Sequence, residues 1–219
     1  MSNKFINIQN LDAFVANVKN MADFKLIISE LIVEKKITTE NFTVENAKKL
    51  ENSEFKISYL TLVQDNIKIV FIDDGTNSKF TVRIIEKTSD VEIAYLYEVL
   101  DNDLILTKKT DYTHVLDDLK ELDKNDIPET FNKEEVKANL PCIHGKWCGA
   151  RCSGPGTPID AVDRCCKAHD LCYDSKGYSS CSCDRRLKQC LKPYVAEGSE
   201  WAIAVTTAFN VVPCKEYAY

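Results

Sequence analysis

The first 141 residues of this chain contain no cysteine, and all ten cysteines fall in the last 78 residues. No apolar stretch approaches the roughly 20 residues needed to span a bilayer. The first residues lack the basic and then apolar run of a secretory signal. Residues 1–140 show no internal repeat, metal cluster, phosphate-binding loop or nucleophile motif. These absences place the candidate chemistry in the cysteine-rich C-terminal part, and we expect no nucleic-acid partner.

Cysteine content and charge divide the chain at the same place. Residues 1–140 carry 18 Lys and Arg against 26 Asp and Glu, a net charge of −8, whereas residues 141–219 carry 10 against 8, a net charge of +2. We predict a two-domain chain, with an α+β domain over 1–110, a charged linker over 111–140 and a disulfide-rich helical domain over 141–219. Clustered cysteines indicate disulfide bonds and an oxidising, secreted destination, although no signal is visible.

Hydrophobic spacing predicts the fold of the N-terminal domain. Apolar side chains recur every three or four residues over 10–36, which indicates helix, and residues 43–52 could add a short helix. From Phe55 the period changes to two in five runs separated by Asp-Asn and Asp-Gly turns. These runs are FKISYLTLV, IKIVFI, KFTVRIIE, VEIAYLYEV and LILTKK. The sequence therefore predicts helices followed by an antiparallel β-meander.

Cysteine spacing in the C-terminal domain predicts two cross-linked helices. Cys165 and Cys172 are seven residues apart, and so are Cys183 and Cys190. Seven residues make about two helical turns, so each pair lies on one helix face. If the two helices are antiparallel, Cys165 meets Cys190 and Cys172 meets Cys183. Both disulfide bonds can therefore form in a single register.

The same register brings polar side chains together between the two helices. His169 lies between the cross-linking cysteines, and Tyr173 shares its face of the first helix. Asp184, at the start of the second helix, falls close to His169 and Asp170. Thr157 is predicted to cap the first helix. The glycine-rich loop before this helix can turn its carbonyl oxygens inward. Carbonyls together with the Asp170 carboxylate are ligands that suit calcium.

These motifs resemble a known family. The segments WCG, GTPIDAVDRCCKAHDLCY and CSCDRRLKQC occur in the order found in the secreted, calcium-dependent phospholipase A2 family, over residues 142–195. The resemblance implies calcium-dependent hydrolysis of the sn-2 ester of glycerophospholipids at a membrane surface, with release of a fatty acid and a lysophospholipid. It does not extend to residues 1–140.

The resemblance also implies roles for individual residues. His169 would act as the general base that activates a water molecule. Asp184 would orient the imidazole through the other ring nitrogen of His169, and Tyr173 would support Asp184 by a hydrogen bond. The backbone N–H of Gly149 would help to stabilise the oxyanion. Calcium would be held by the Asp170 carboxylate and by the backbone carbonyls of Trp147, Gly149 and Arg151.

Disulfide pairing is only partly predicted. The resemblance pairs Cys148 with Cys166, in addition to the two bonds that the helix register predicts. The remaining cysteines allow three connectivities, among which the sequence does not choose. They are Cys142, Cys152, Cys181 and Cys214.

Two alternative functions remain open for the cysteine-rich part. Arg151 stands where the family normally has a second glycine, and a non-glycine residue adopts positive φ only at a cost. A catalytically impaired binding module or membrane-active toxin is therefore the main alternative. A zinc site is disfavoured, because ten cysteines with an adjacent pair suit cross-links better than a four-ligand site. Its ligands would be Cys166, His169, Cys172 and Cys183.

Other features are interpreted more simply. His114 and His144 are expected to be solvated surface histidines. The tail WAIAVTTAFNVV is expected to be a core helix or strand, with lipid contact through Trp201 and Phe209 as the alternative. The acidic N-terminal domain is interpreted as a propeptide or intramolecular inhibitor, or else as an independent targeting domain. The sequence does not indicate an oligomeric state.

Overall fold

The chain forms two compact units. The computed structural model describes residues 5–51, 56–89, 91–113, 115, 143–149, 152 and 154–216. Unit 1 comprises Met1–Thr113 together with Val195–Ile203, and unit 2 comprises His114–Tyr194 together with Ala204–Tyr219. Within these described ranges, no helix has both the length and the apolar character needed to cross a membrane.

Two helices open unit 1. Helix α1 spans Leu11–Asn20 and helix α2 spans Ala22–Val33, so the predicted helical segment is divided in two. Asn10 caps α1, because its side chain accepts a hydrogen bond from the backbone N–H of Ala13 at 3.4 Å. The break falls at Met21, whose backbone is extended (φ −65°, ψ 146°).

A seven-stranded antiparallel sheet follows, and its strands lie in chain order. Strands β3 to β7 are the five predicted runs, so the predicted meander is confirmed. The short helix expected at residues 43–52 is wrong, because this segment pairs with β3 as a strand. The strands are β1 Ile6–Asn7, β2 Thr43–Glu51, β3 Lys56–Gln64, β4 Ile67–Asp73, β5 Ser78–Lys87, β6 Glu92–Leu100 and β7 Asp103–Asp111.

One face of the sheet packs against α1 and α2. Alternate residues of the central strands, such as Leu60, Ile69 and Phe80, are buried against Phe24 and Ile27 of α2. The aromatic ring of Phe80 lies 6.2 Å from that of Phe24, in a tilted arrangement. The period-two pattern thus supplies a continuous apolar layer to the helices, and this layer is the core of unit 1.

The opposite face of the sheet is also buried, although several of its residues are polar. Tyr59, Thr61, Lys68 and Arg83 are each at most 7% exposed. Segment Val195–Ile203 belongs to the same unit as this face. The sheet is therefore buried on both sides in its centre, which explains why every residue from Ile67 to Ile72 is buried.

Three further helices follow, and unit 2 is organised around the first two. Helix α3 spans Ala161–Lys176, helix α4 spans Cys181–Ala196 and helix α5 spans Glu200–Val211. Two disulfide bonds join α3 to α4 at the predicted register, with Cα–Cα distances of 5.8 and 5.7 Å. They are Cys165–Cys190 and Cys172–Cys183. The predicted disulfide-rich helical architecture is confirmed.

The predicted start of α3 is wrong by one turn. The N-cap is Asp160 and not Thr157, because the Asp160 side chain accepts a hydrogen bond from the backbone N–H of Asp163 at 2.8 Å. Asp160 is itself only 3% exposed. A buried carboxylate at the helix N-terminus satisfies free N–H groups better than a hydroxyl one turn earlier.

The aromatic core of unit 1 makes a direct prediction. Replacing Phe80 with Ala would leave a cavity beside Phe24 and Phe71, so unit 1 should lose about 3–5 kcal/mol of unfolding free energy. Urea unfolding followed by far-ultraviolet circular dichroism measures this loss. Leu106→Ala is the control, because Leu106 is 48% exposed on the edge strand β7 and should change the stability by less than about 0.5 kcal/mol. Equal effects of the two substitutions would contradict the packing described above.

Candidate active site

A buried histidine and aspartate face each other between α3 and α4. Nε2 of His169 lies 2.8 Å from Oδ1 of Asp184, and the two side chains are 3% and 4% exposed. His169 lies on α3 between the two cysteines that are cross-linked to α4, and Asp184 lies in the first turn of α4. The cross-links hold both helices in one register, so the pair is held at hydrogen-bonding distance.

Tyrosine and phenylalanine rings complete the surroundings of the histidine. The hydroxyl of Tyr173 donates a hydrogen bond to Oδ1 of Asp184 at 2.5 Å, and its ring centroid lies 4.1 Å from that of His169. Burial, and then this hydrogen bond, raises the pKa of the Tyr173 phenol, so the hydroxyl stays protonated and remains a donor. Phe209 of α5 packs edge-on against His169 at 4.8 Å. The imidazole is therefore fixed in position and orientation.

Asp170 offers a carboxylate oxygen that can bind a cation. Its Oδ1 lies 3.8 Å from Nδ1 of His169. Its Oδ2 is buried and has no hydrogen-bond partner among the residues that the structure describes. A buried carboxylate oxygen without a partner is costly, and a hard cation such as calcium would satisfy it. Asp170 therefore offers one oxygen of the kind that calcium prefers as a ligand.

The other predicted calcium ligands are backbone carbonyls, and they are only partly described. Trp147 and Gly149 lie in the loop 143–149 that precedes α3. Arg151 lies outside the described residues. In the described part of the chain, no group of three or more His, Cys, Asp or Glu side chains could hold a metal ion. A cation bound at Asp170 would therefore depend on the carbonyls of this loop.

One buried carboxylate organises the loop. Asp163, in the first turn of α3 and fully buried, accepts hydrogen bonds from the backbone N–H groups of Lys146 at 3.1 Å, Trp147 at 2.7 Å and Ile159 at 3.0 Å. Gly145 has positive φ, and a Cβ atom at this position would collide with the Asp163 carboxylate. The loop therefore folds around a helix residue that sequence reasoning did not select. Its only sequence signal is an acidic residue in the first helical turn.

The interpretation of His144 as a solvated surface residue is wrong. His144 is 8% exposed, and its Nε2 pairs with Oδ2 of the buried Asp160. Its backbone also forms an isolated β-bridge with Cys148. Since Asp160 is the N-cap of α3, this pair joins the beginning of the loop to the beginning of the helix. The other histidine of that interpretation, His114, lies outside the described residues.

The remaining disulfide bonds tie the loop and the C-terminal tail to the helices. Cys148 is bonded to Cys166, with a Cα–Cα distance of 5.1 Å. Cys181 is bonded to Cys214, which selects among the connectivities that the sequence left open. Cys142 lies outside the described residues. The loop is thus attached to α3 by a covalent bond as well as by the Asp163 hydrogen bonds.

Known proteins match this part of the chain. A protein named basic phospholipase A2 beta-bungarotoxin A2 chain, from Bungarus flaviceps flaviceps, is 34% identical over an alignment of 93 residues that covers 33% of this chain and 60% of the relative. A basic phospholipase A2 from Micrurus corallinus is 39% identical over 75 residues, which are 34% of this chain and 46% of the relative. The C-terminal part of the chain belongs to the phospholipase A2 family.

The similarity covers only part of this chain and only part of each relative. A probable phospholipase A2 homolog 1 from Oryza sativa subsp. japonica is 41% identical over 51 residues, which are 22% of this chain and 37% of the relative. The chain thus spans between about a third and three-fifths of the length of these phospholipase A2 relatives. The N-terminal part is unmatched. No family profile and no solved structure matched the chain.

The role of Asp163 in the phospholipase A2-family domain can be tested by Asp163→Asn. The side-chain amide of this variant would place an N–H group opposite the backbone N–H donors of the loop. This change should destabilise the loop conformation by about 2 kcal/mol. Amide hydrogen exchange of residues 144–149 should then be about 30-fold faster, as measured by mass spectrometry. Asp174→Asn is the control, because Asp174 is exposed on the same helix. Unchanged exchange in Asp163→Asn would show that the loop does not depend on this carboxylate.

Proposed function

We propose that this protein hydrolyses the sn-2 ester of glycerophospholipids in a calcium-dependent reaction, releasing a fatty acid and a lysophospholipid. The observation that carries the proposal is the buried pair of His169 and Asp184, 2.8 Å apart, beside an Asp170 carboxylate oxygen that has no hydrogen-bond partner among the described residues. A phospholipase A2-family domain in which this pair is retained supports hydrolysis more than simple binding, because a binding module needs none of these groups.

His169 acts as the general base in this proposal. When Nε2–H donates to Asp184, the other ring nitrogen, Nδ1, carries no proton and can accept one from a water molecule. Asp184 keeps the imidazole in this tautomer and stabilises the positive charge that it acquires. Tyr173 donates to the same carboxylate oxygen and holds Asp184 in place. The ring packing of Tyr173 and Phe209 prevents the base from turning away.

A calcium ion would be held by Asp170 together with the carbonyls of Trp147, Gly149 and Arg151. When bound, it would supply positive charge that stabilises the developing oxyanion. The Gly149 backbone N–H would contribute a hydrogen bond to the same oxygen. Asp163 keeps the backbone of residues 146 and 147 in place, and so acts as a positioning residue for this loop.

The substrate in this proposal is a phospholipid membrane surface, met outside the cell after secretion. Leu171 and Tyr178 support a membrane-facing surface, because they are 54% and 71% exposed. The ring of Tyr178 lies 5.2 Å from that of Tyr173, next to the proposed base. Aromatic side chains are favoured at membrane interfaces. The disulfide bonds are consistent with an oxidising compartment.

Fatty-acid release from phospholipid vesicles tests this function. The wild-type chain should release fatty acid with calcium and not with a chelator. His169→Gln should lower the rate about 100- to 10,000-fold while calcium binding, measured by calorimetry, is kept. Asp170→Asn should lose both, because it removes the only carboxylate proposed to hold the ion.

Asp174→Asn is the matched control and should behave as the wild type, since this side chain is exposed. Release that is equal in the wild type and His169→Gln would refute the proposed base. If no form releases fatty acid although all disulfide bonds are present, the binding-module alternative replaces the enzyme.

We also propose that the acidic N-terminal region restrains this activity. Its support is charge complementarity, because residues 1–140 have a net charge of −8 and residues 141–219 a net charge of +2. Attraction between the two would compete with docking on a membrane.

Salt dependence tests this restraint. On uncharged phosphatidylcholine vesicles, raising the ionic strength from about 0.01 M to about 1 M shortens the Debye length from about 30 Å to about 3 Å. Fatty-acid release by the intact chain should therefore increase with salt. Constant or falling release, at saturating calcium, would refute a restraint of this electrostatic kind.

A further inference from the structure

Two buried cations lie directly opposite each other in the sheet of unit 1. Lys68 of β4 and Arg83 of β5 are register partners, so their side chains project from the same face. Each residue is only 7% exposed. Like charges directly opposite each other destabilise a sheet, and a buried charge is costly unless it is paired. This pair of strands therefore requires an anion on that face.

Glu197 is the anion that neutralises both cations. Its Oε2 lies 2.9 Å from Nζ of Lys68, and its Oε1 lies 2.7 Å from Nε of Arg83. The Glu197 side chain is 6% exposed. Glu45 of β2 also pairs with Lys68, at 2.8 Å, but it is 45% exposed and does not reach Arg83 in any described contact. We call Lys68, Arg83 and Glu197 the Glu197 cluster.

The residues that follow Glu197 also contact the sheet face that carries Lys68 and Arg83. Gly198 has a φ of +80°, and a Cβ atom there would lie 2.6 Å from Oγ1 of Thr61. Glu200 pairs with Lys48 and accepts a hydrogen bond from the Tyr59 hydroxyl at 3.3 Å. The segment therefore meets this face of the sheet with a second ion pair and a close backbone approach.

The members of the Glu197 cluster lie on opposite sides of residues 116–142 in the chain. Lys68 and Arg83 precede that stretch, and Glu197 follows it. A cut there would leave two fragments that share the interior of unit 1, because the sheet would be in one fragment and Val195–Ile203 in the other. In the separated fragments Lys68 would keep only Glu45, and both Arg83 and Glu197 would lose the ion pair that joins them.

We propose that the Glu197 cluster is an intramolecular anchor, which keeps the N-terminal region bound to the rest of the protein after the chain is cut within residues 116–142. The N-terminal region is then a retained part of the protein, unlike a propeptide that leaves after a single cleavage. Any effect of this anchor on fatty-acid release rests on the function proposed above. Helix α5 begins at Glu200 and carries Phe209, whose ring packs on His169.

A cut chain tests the anchor. A protease recognition site is inserted between residues 116 and 142 of the full chain, which is cut after folding and analysed by size-exclusion chromatography over a dilution series. The wild-type fragments should co-elute. In Glu197→Gln they should separate, with an apparent dissociation constant raised about 100-fold or more, because two buried cations lose their shared partner.

Glu86→Gln is the matched control. It removes a glutamate from another ion pair of the same sheet, with Lys36, but both partners are exposed. Its fragments should co-elute as those of the wild type do. Gly198→Ala is a second test that keeps every charge and places a methyl group against Thr61. It should also weaken the association, and it decides the question if Glu197→Gln does not fold.

Wild-type fragments that separate as readily as those of Glu197→Gln would overturn the anchor. So would fragments of Glu197→Gln or Gly198→Ala that stay together as tightly as those of the wild type. Fatty-acid release is measured on the same samples and distinguishes the proposals. If the variant fragments separate and release is unchanged, the anchor holds and the restraint is refuted. If no sample releases fatty acid, the elution result still supports or overturns the anchor, and the enzymatic function fails by itself.

Discussion

The two disulfide bonds between α3 and α4 are the constraint on which the candidate site depends. Together the two bonds join a pair of cysteines seven residues apart on α3 to a pair seven residues apart on α4, so the helices cannot slide by a turn. This register sets Asp184 opposite His169. A third bond attaches the preceding loop to α3. Groups held in this way are already organised for chemistry before any ligand arrives, and little ordering entropy remains to be lost on binding.

Buried charge is used in different ways in the two units. In unit 2, Asp163 is surrounded by backbone N–H groups, so a carboxylate shapes a loop whose carbonyls are candidate ligands. In unit 1, Lys68 and Arg83 are buried on a sheet face and share Glu197. Buried ion pairs add less net stability than apolar packing of equal size, but removing one partner is costly. Such groups therefore favour one arrangement of the chain over others, and this selectivity is what an anchor requires.

Sequence reasoning was most successful where the signal is local and periodic. The five β-rich runs became strands β3 to β7, because alternation of apolar residues defines a face whatever that face meets. It failed for β2, whose residues carry several charges and form a strand through pairing with β3. It also failed for His144, since nothing near that residue in sequence announces a buried carboxylate sixteen positions later. In both cases a contact distant in the chain decided the local outcome.

The sequence by itself predicted the cross-linked helix pair and the group of His169, Asp170, Tyr173 and Asp184, because cysteine spacing and helical periodicity allow one register once the two helices are antiparallel. Tertiary structure alone decided the partner of the two sheet cations. A strand pattern shows that Lys68 and Arg83 share a face, but it cannot show whether water or another segment covers that face. Glu197 covers it from more than a hundred residues away in the chain. The physical reason is that burial, unlike periodicity, is a property of the folded chain as a whole.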